Sequence, residues 1–218
     1  MNVSTNGIKK ITILLADDHQ MLLDLWASIL FNDGRFDIVG KADNGILAVE
    51  MAKKCRPDII LLDINMGQLN GFEAAGLIRK FSPGSKIIGV SMFNLPAYAK
   101  KMSSLGAMGY VTKNSPVKEL ITAIIEVNKG NQYICKQIKL MMGTEDEMPI
   151  ENKTNECPLT IREIEVVQMI RKGLTSKEIA DKLNLSPKTI NIHRYNIFRK
   201  LKVKSIATLI TATQIIGL

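Results

Sequence analysis

The chain has few of the features that mark secreted or membrane proteins. It holds three cysteines in 218 residues, and Cys55, Cys135 and Cys157 are scattered and odd in number. Because they fit neither a disulfide framework nor a metal-binding spacing, we interpret them as reduced and structural. No apolar run approaches the roughly 18 residues that a membrane span needs, and residues 1–10 contain no apolar signal-peptide core. We therefore expect a cytoplasmic protein with no membrane association.

An excess of one charge sign is confined to the end of the chain. Of the net charge of +8, residues 158–218 supply +7, from 11 Lys+Arg against 4 Asp+Glu. A basic block of this kind favours a polyanionic partner, most often nucleic acid. A solvated lysine-rich face would give the same count, so charge alone leaves both interpretations open.

Apolar runs alternate with helical patterns through the first 129 residues. The predicted strands cover residues 11–16, 36–39, 58–62, 86–90 and 108–112. The predicted helices cover residues 19–31, 45–54, 71–81, part of 96–105, and 116–129. This alternation predicts an α/β fold with a doubly wound, five-stranded parallel sheet.

Polar side chains follow four of the predicted strands. Asp17 and Asp18 end the first strand, Asp63 the third, Ser91 the fourth and Lys113 the fifth. Because the carboxyl ends of parallel strands meet at one edge of a sheet, these side chains should converge there. Taken alone, Asp63 has a simpler interpretation as the cap of the following helix.

The expected convergence predicts a particular chemistry. Three carboxylates repel one another unless a cation lies between them. Oxygen ligands with retained waters suit Mg²⁺. A carboxylate nucleophile beside a metal, with a lysine and a hydroxyl nearby, is suited to receive a phosphoryl group.

The last quarter of the chain has only helical periodicity. Capping boxes are predicted at Thr160–Glu163 and Thr175–Glu178. Ser186 and Pro187 mark the start of a third helix, and residues 205–216 form a fourth, mostly apolar one. A short helix, a tight turn and a basic second helix are typical of a helix-turn-helix, whose second helix enters the DNA major groove. The outer face of that helix is expected to hold Lys188, Asn191, Arg194, Tyr195, Arg199 and Lys200.

Both halves resemble known families. Residues 10–129 resemble the receiver domain of bacterial two-component response regulators, which has a flavodoxin-like fold. Residues 158–218 resemble the LuxR-type helix-turn-helix domain, through LTxRExEV, GLTSKEIA, SxxTI, HRxNI and KL in that order. Together they are similar to the NarL/FixJ class of response regulator. The resemblance implies a DNA-binding transcription regulator that is phosphorylated by a partner sensor histidine kinase.

The resemblance also implies roles for the acidic residues. Asp63 would be the phosphoacceptor. Asp18 and Asp63 would bind Mg²⁺ together with the backbone carbonyl of Asn65, and Asp17 would act through a metal-bound water.

Three further residues would respond to the phosphoryl group. Ser91 and Lys113 would contact its oxygens, and Tyr110 occupies the family's aromatic switch position. Tyr110 also fits a half-buried strand aromatic with no switching role. The family usually has proline four residues after the phosphorylated aspartate, where this chain has Gly67. Glycine gives that loop more conformations, so the phosphorylation rate, metal affinity or phosphoryl lifetime is expected to be unusual.

In the DNA-binding half the family makes base contacts near the start and middle of the recognition helix. Those positions hold Asn191, Ile192 and Tyr195. Asparagine pairs with the major-groove edge of adenine, and an apolar side chain contacts a thymine methyl. The residues expected to contact phosphates are Lys177, Lys188, Thr189 and Arg194. Because the last helix of the family dimerises, we expect a homodimer on paired half-sites of double-stranded DNA.

Two alternative functions remain open from the sequence. In one, Gly67 marks a pseudo-receiver, and the protein binds DNA without phosphorylation of Asp63. In the other, the aspartates belong to a Mg²⁺-dependent phosphohydrolase. We expect that the protein is not an enzyme, although its receiver domain catalyses its own phosphoryl transfer and dephosphorylation. The expected organisation is a flexible N-terminus (1–9), a receiver (10–129), a linker with a possible short helix (130–157) and the helix-turn-helix domain (158–218).

Overall fold

The computed structural model describes residues 9–67, 69–92, 94–146 and 159–215. The chain divides into two compact units, residues 1–143 and 144–218. Residues 1–8 of the expected flexible N-terminus, residues 147–157 of the expected linker and residue 158 of the expected helix-turn-helix domain lie outside the described residues. Within the described ranges, no helix is both long enough and apolar enough to cross a bilayer.

Strands and helices alternate from residue 11 to residue 146. In chain order they are β1 (Ile11–Ala16), α1 (Gln20–Asn32), β2 (Phe36–Ala42), α2 (Gly45–Cys55), β3 (Ile59–Asp63), α3 (Gly71–Phe81), β4 (Lys86–Ser91), α4 (Pro96–Ser104), β5 (Gly109–Thr112), α5 (Val117–Lys129), β6 (Tyr133–Ile134) and α6 (Lys136–Asp146). The strands form one parallel sheet in the order β2-β1-β3-β4-β5-β6. The doubly wound architecture predicted from the sequence is confirmed.

The apolar run that ends in Asp63 forms a central strand. β3 lies between β1 and β4, and all five of its residues are buried. A parallel strand that is apolar at successive positions is covered on both faces. Each fully buried Ile or Leu side chain stabilises the fold by roughly 1.5–3 kcal/mol. Asp63 is therefore held at the sheet edge by a buried, well-packed strand.

The sheet has one strand more than the five that the sequence predicts. β6 pairs in parallel with β5, in the register Gly109↔Tyr133 and Tyr110↔Ile134. A strand of two residues has no detectable period, and its pairing depends on a partner more than 20 positions earlier. α6 then occupies the place of the possible short helix, and the first unit extends past residue 129 to Gly143.

The start of α3 packs directly on the end of β3 and requires glycine. A Cβ atom added to Gly71 would lie 2.1 Å from the backbone oxygen of Asp63 and 2.7 Å from the Cα atom of Ile64. Because backbone atoms cannot give way cheaply, we expect Gly71→Ala to lower the free energy of unfolding by about 1–3 kcal/mol. Urea unfolding followed by the fluorescence of Trp26, the single tryptophan, measures this.

The same helix supplies a matched control. Gly76 is exposed, and nothing lies within 4 Å of a Cβ atom added there. Gly76→Ala should raise stability by about 0.5–1 kcal/mol, since alanine favours the helix more than glycine does. Equal responses from the two variants would contradict the steric explanation.

Within residues 159–215, the second unit contains four helices, as predicted. They are α7 (Ile161–Arg171), α8 (Ser176–Lys182), α9 (Pro187–Lys200) and α10 (Ile206–Ile215). Both predicted capping boxes are present, and the Ser186 hydroxyl accepts from the Thr189 N–H at the start of α9. Its buried apolar side chains include Ile164, Val167, Ile170, Ile179, Ala180, Ile190, Ile197 and Leu209.

Candidate functional site

The polar residues predicted at the strand ends converge at the carboxyl edge of the sheet. Lys113 Nζ lies 2.7 Å from Asp17 Oδ2 and 3.1 Å from Asp63 Oδ2. The three side chains are no more than 4% exposed. Ser91, the last residue of β4, is fully buried at the same edge. The central geometric expectation from the sequence therefore agrees with the structure.

Lys113 is the cation between two buried carboxylates. Burial alone lowers the pKa of an amine, but the carboxylates of Asp63 and Asp17 outweigh this effect and raise the pKa of Lys113. The ammonium group thereby reduces the repulsion between Asp17 and Asp63. The family resemblance implies that Lys113 contacts a phosphoryl group on Asp63. In this structure the amine is paired with Asp17 and Asp63.

Asp63 has an unusual environment for a carboxylate. Burial raises its pKa to about 6, with Lys113 acting in the opposite direction and Asp17 adding to the rise. A hydrogen bond from the backbone N–H of Asn65 also favours the charged form. A buried carboxylate with a cation at 3.1 Å is available for chemistry. Its interpretation as a simple helix cap is wrong, because Asn70 caps α3.

A metal ion fits the outer part of this site. Asp17, Asp18, His19 and Asp63 each offer a ligand atom, and these atoms lie within 4.8 Å of one another. Asp18 is the accessible carboxylate, with its side chain 38% exposed. Three carboxylates supply the oxygen ligands that Mg²⁺ prefers, and solvent is available for the waters it retains. The donor set therefore suits Mg²⁺.

His19 is a member of the cluster that the sequence reasoning missed. Its Nδ1 atom lies 2.8 Å from Asp18 Oδ1 and 3.1 Å from Asp17 Oδ1. Its backbone N–H donates to Asp17 Oδ1 at 2.9 Å. The position of His19 directly after Asp17 and Asp18 was the signal in the sequence. It was not sufficient, because the direction of the imidazole ring depends on the turn between β1 and α1. The imidazole ring is 64% exposed, so it lies at the mouth of the site.

Tyr110 and Ser91 form a buried pair. Tyr110 is 1% exposed and Ser91 is not exposed at all, which excludes the half-buried position considered for the tyrosine. Burial raises the pKa of Tyr110, and a hydrogen bond from the Ser91 hydroxyl opposes that rise. The hydroxyl expected to contact a phosphoryl group is therefore bonded to the aromatic residue at the expected switch position.

The outer face of α9 presents the side chains expected to contact bases. Ile192 is 54% and Tyr195 is 66% exposed, and Asn191 is also exposed. The Arg199 guanidinium lies over the Tyr195 ring, 5.9 Å from its centre. The side chains of Asn191, Ile192 and Tyr195 are of types that can contact base edges in a major groove.

The residues expected to contact phosphates surround that face. Lys177 and Lys188 are exposed, and Arg194 and Thr189 are half-buried. The Thr189 hydroxyl lies 2.8 Å from that of Ser186, so it already takes part in the start of α9.

Lys200 does not lie on the outer face, contrary to the expectation from the sequence. Its Nζ atom lies 2.6 Å from Oε2 of Glu163, whose side chain is 4% exposed. The same carboxylate accepts from the backbone N–H and the hydroxyl of Thr160 at 2.7 and 2.9 Å. The periodicity of α9 places Lys200 near the boundary of the two faces, and the buried carboxylate on α7 decides its direction.

Comparisons with known proteins agree with this geometry. The family model described as response regulator receiver domain matches residues 13–125. The model described as bacterial regulatory proteins, luxR family, matches residues 157–213. Response regulator GacA of Pseudomonas aeruginosa is 32% identical over 195 residues, covering 89% of this chain and 91% of the relative. Oxygen regulatory protein NreC of Staphylococcus epidermidis is 34% identical over 203 residues, covering 88% and 92%.

A solved structure shares the fold of nearly the whole chain. The RcsB response regulator of Salmonella typhimurium matches with a TM-score of 0.68, covering 95% of this chain and 98% of that one, at 22% identity. At that identity the likeness concerns the fold.

The fold and the two family matches define a regulator with a receiver domain and a DNA-binding helix-turn-helix domain. The chain belongs to the response regulators of two-component systems, in the NarL/FixJ class. It is a phosphorylation-responsive DNA-binding regulator rather than a conventional enzyme. Nothing in the matches favours a pseudo-receiver.

Proposed function

We propose that Asp63 accepts a phosphoryl group from a sensor histidine kinase and that this controls transcription through DNA binding by α9. The observation that carries the proposal is the buried Asp63 carboxylate, which lies beside Lys113 and an acidic cluster open to solvent through Asp18. The regulator works in the cytoplasm, where its DNA is.

Asp63 is the nucleophile in this proposal. One of its oxygens attacks the phosphorus of the donor's phosphohistidine, so a P–O bond forms. The P–N bond breaks, and the imidazole nitrogen leaves with the electron pair. Lys113 offers positive charge to the phosphoryl oxygens, as a positioned cation does in phosphoryl transfer generally. The receiver catalyses this transfer and the later hydrolysis itself.

A bound Mg²⁺ supplies charge neutralisation and alignment for the transfer. Asp18, Asp63 and the backbone carbonyl of Asn65 would hold it directly, and Asp17 would hold it through water. Gly67 lies in the loop that follows these residues, where the family usually has proline, and its freedom is expected to alter the lifetime of the phosphoryl group.

In this proposal the second unit binds DNA. Asn191, Ile192 and Tyr195 read base edges in the major groove of double-stranded DNA. The phosphate contacts come from Lys177, Lys188, Thr189 and Arg194. Ile206 on α10 is 43% exposed on a mostly apolar helix. This exposure supports α10 as the surface that forms a homodimer on paired half-sites.

Intact-mass measurement tests the phosphorylation. The purified protein is incubated with Mg²⁺ and acetyl phosphate as the phosphodonor. We expect one phosphoryl adduct, and none in the presence of EDTA or in Asp63→Asn. An adduct that persists in Asp63→Asn would place the modification elsewhere. No adduct on a folded wild-type protein would overturn the proposal.

Two variants on α9 separate positioning from base reading. Lys188→Ala should weaken binding to all sequences and make the slope of log affinity against log salt concentration shallower by about one. Asn191→Ala should leave that slope unchanged and reduce the preference for specific DNA by about 1–3 kcal/mol. Fluorescence anisotropy with an operator and a scrambled duplex, at several salt concentrations, measures both. The assignment is wrong if the two variants lose specificity equally.

A further inference from the structure

The backbone of the turn after β1 places the imidazole of His19 at the acidic cluster. His19 is the N-cap residue of α1, but its side chain makes no capping hydrogen bond. Residues at this position usually cap the helix, so the imidazole is available for another partner. The His19 backbone N–H donates to Asp17 Oδ1 at 2.9 Å, which fixes the turn beside the carboxylates. Because the ring is 64% exposed, an ion can reach it from solvent.

The imidazole and Asp18 are spaced like two neighbouring ligands of one ion. Nδ1 of His19 lies 2.8 Å from Asp18 Oδ1. Two ligands bound at about 2.1 Å and at right angles to each other lie about 3.0 Å apart, and two on opposite sides lie about 4.2 Å apart. The ligand atoms of Asp17, Asp18, His19 and Asp63 all lie within 4.8 Å of one another. One ion can therefore contact His19 and Asp18 together, with the other carboxylates close by.

The imidazole and the ammonium of Lys113 contact different oxygens of the cluster. Lys113 pairs with the Oδ2 atoms of Asp17 and Asp63, deep in the site. His19 contacts the Oδ1 atoms of Asp17 and Asp18 at the mouth, where the Asp18 side chain is 38% exposed. An ion that enters from solvent therefore meets an oxygen and a nitrogen side by side.

A nitrogen ligand changes which ion a site prefers. Mg²⁺ takes oxygen ligands and keeps several waters, so an imidazole adds little to its binding. Imidazole suits the later first-row transition ions, and the affinity of a given site rises from Mn²⁺ through Fe²⁺ and Co²⁺ to Ni²⁺. The carboxylates of the cluster serve either class of ion, whereas His19 favours the second.

We propose that His19 is a metal ligand that raises the preference of the receiver site for a divalent first-row transition ion over Mg²⁺. Asp18 and His19 hold that ion directly, at the metal position of the proposed function. The inference rests on the proposed function for this position alone, because binding of the ion requires no phosphoryl group.

Calorimetric titration of the untagged full-length protein with Co²⁺, and separately with Mg²⁺, measures the preference. Phenylalanine keeps a ring but has no donor atom, so His19→Phe should lower the ratio of Co²⁺ to Mg²⁺ affinity. We expect a decrease of about 10- to 100-fold, the size of loss seen when groups that support a metal site are removed. His193→Gln removes the other histidine of the chain, on α9, and should leave the ratio unchanged.

An imidazolium ion paired with Asp17 and Asp18 would give the same distances without any role in metal binding. It would compete with both ions, so its removal in His19→Phe would strengthen the binding of Co²⁺ and Mg²⁺ by similar factors. An unchanged ratio of the two affinities would therefore overturn the inference.

Proton NMR of the Co²⁺-saturated protein detects the ligand directly. Ring protons of an imidazole bound to paramagnetic Co²⁺ are shifted far outside their usual range. The chain has two histidines, so the shifted signals should persist in His193→Gln, where His19 is the only imidazole, and disappear in His19→Phe. Unshifted imidazole signals in the wild type would also contradict the inference. Neither measurement uses a phosphodonor, so a missing phosphoryl adduct would remove the proposed function without deciding this result.

Discussion

Lys113→Met is expected to lower the free energy of unfolding of the first unit by about 3–5 kcal/mol when no divalent ion is added. Methionine matches the length of lysine but removes the charge that lies 2.7 Å from Asp17 and 3.1 Å from Asp63. Two carboxylates would then share a buried site without a cation. Urea unfolding followed by Trp26 fluorescence measures the loss, since α1 belongs to the first unit.

Mg²⁺ should recover part of this loss. A ligand that binds only the folded state adds about 2.7 kcal/mol at one hundred times its dissociation constant. The gain should be larger in Lys113→Met than in wild type, because the ammonium and the metal ion compete for the same carboxylates. Lys129→Met is the matched control: it removes a lysine from an exposed pair with Glu126 and should leave unfolding almost unchanged. A loss below about 1 kcal/mol in Lys113→Met would show that Lys113 does not compensate these carboxylates.

In the proposed function, phosphorylation of Asp63 would give Lys113 a second position. In the structure its ammonium is held between Asp17 and Asp63. A phosphoryl group on Asp63 would offer more negative charge at nearly the same place. A short movement of this amine would then change the charge balance at the end of β5.

The sheet edge was predictable because three simple patterns coincide there. Apolar runs locate the strands, their alternation with helices makes the sheet parallel, and parallel strands end at one edge. These steps place Asp17, Asp63, Ser91 and Lys113 together without any knowledge of packing. They do not determine which charges contact each other, because that depends on side-chain direction and burial.

Other features depended on partners distant in sequence. The two-residue strand β6 has no period of its own and exists because β5 has a free edge. Lys200 is directed inward by a carboxylate 37 positions earlier.

Glu163→Ala is expected to destabilise the packing of α9 against α7. It removes the acceptor for Thr160 and leaves the Lys200 ammonium, 30% exposed, without its partner. We expect the free energy of unfolding of the second unit to fall by about 2–3 kcal/mol. Urea unfolding followed by helical circular dichroism measures it, with Trp26 fluorescence identifying the transition of the first unit.

The pH dependence of this contribution has a definite sign. Burial alone would raise the pKa of Glu163, but the hydrogen bonds from Lys200 and Thr160 outweigh it and lower the pKa below its ordinary value of 4.5. A carboxyl whose pKa is lower in the folded state stabilises fully above its unfolded pKa. The difference between wild type and Glu163→Ala should therefore be constant near neutral pH and shrink as the pH falls below about 4.5.

The second capping box isolates the part played by Lys200. Glu178 accepts from the N–H and the hydroxyl of Thr175 at 2.8 and 2.7 Å, nearly the same geometry as at Glu163, but it is exposed. Glu178→Ala should therefore cost much less than Glu163→Ala. Equal losses would mean that capping alone accounts for both. A larger loss at Glu163 that disappears in a Lys200→Met background would assign the excess to the ion pair that joins α9 to α7.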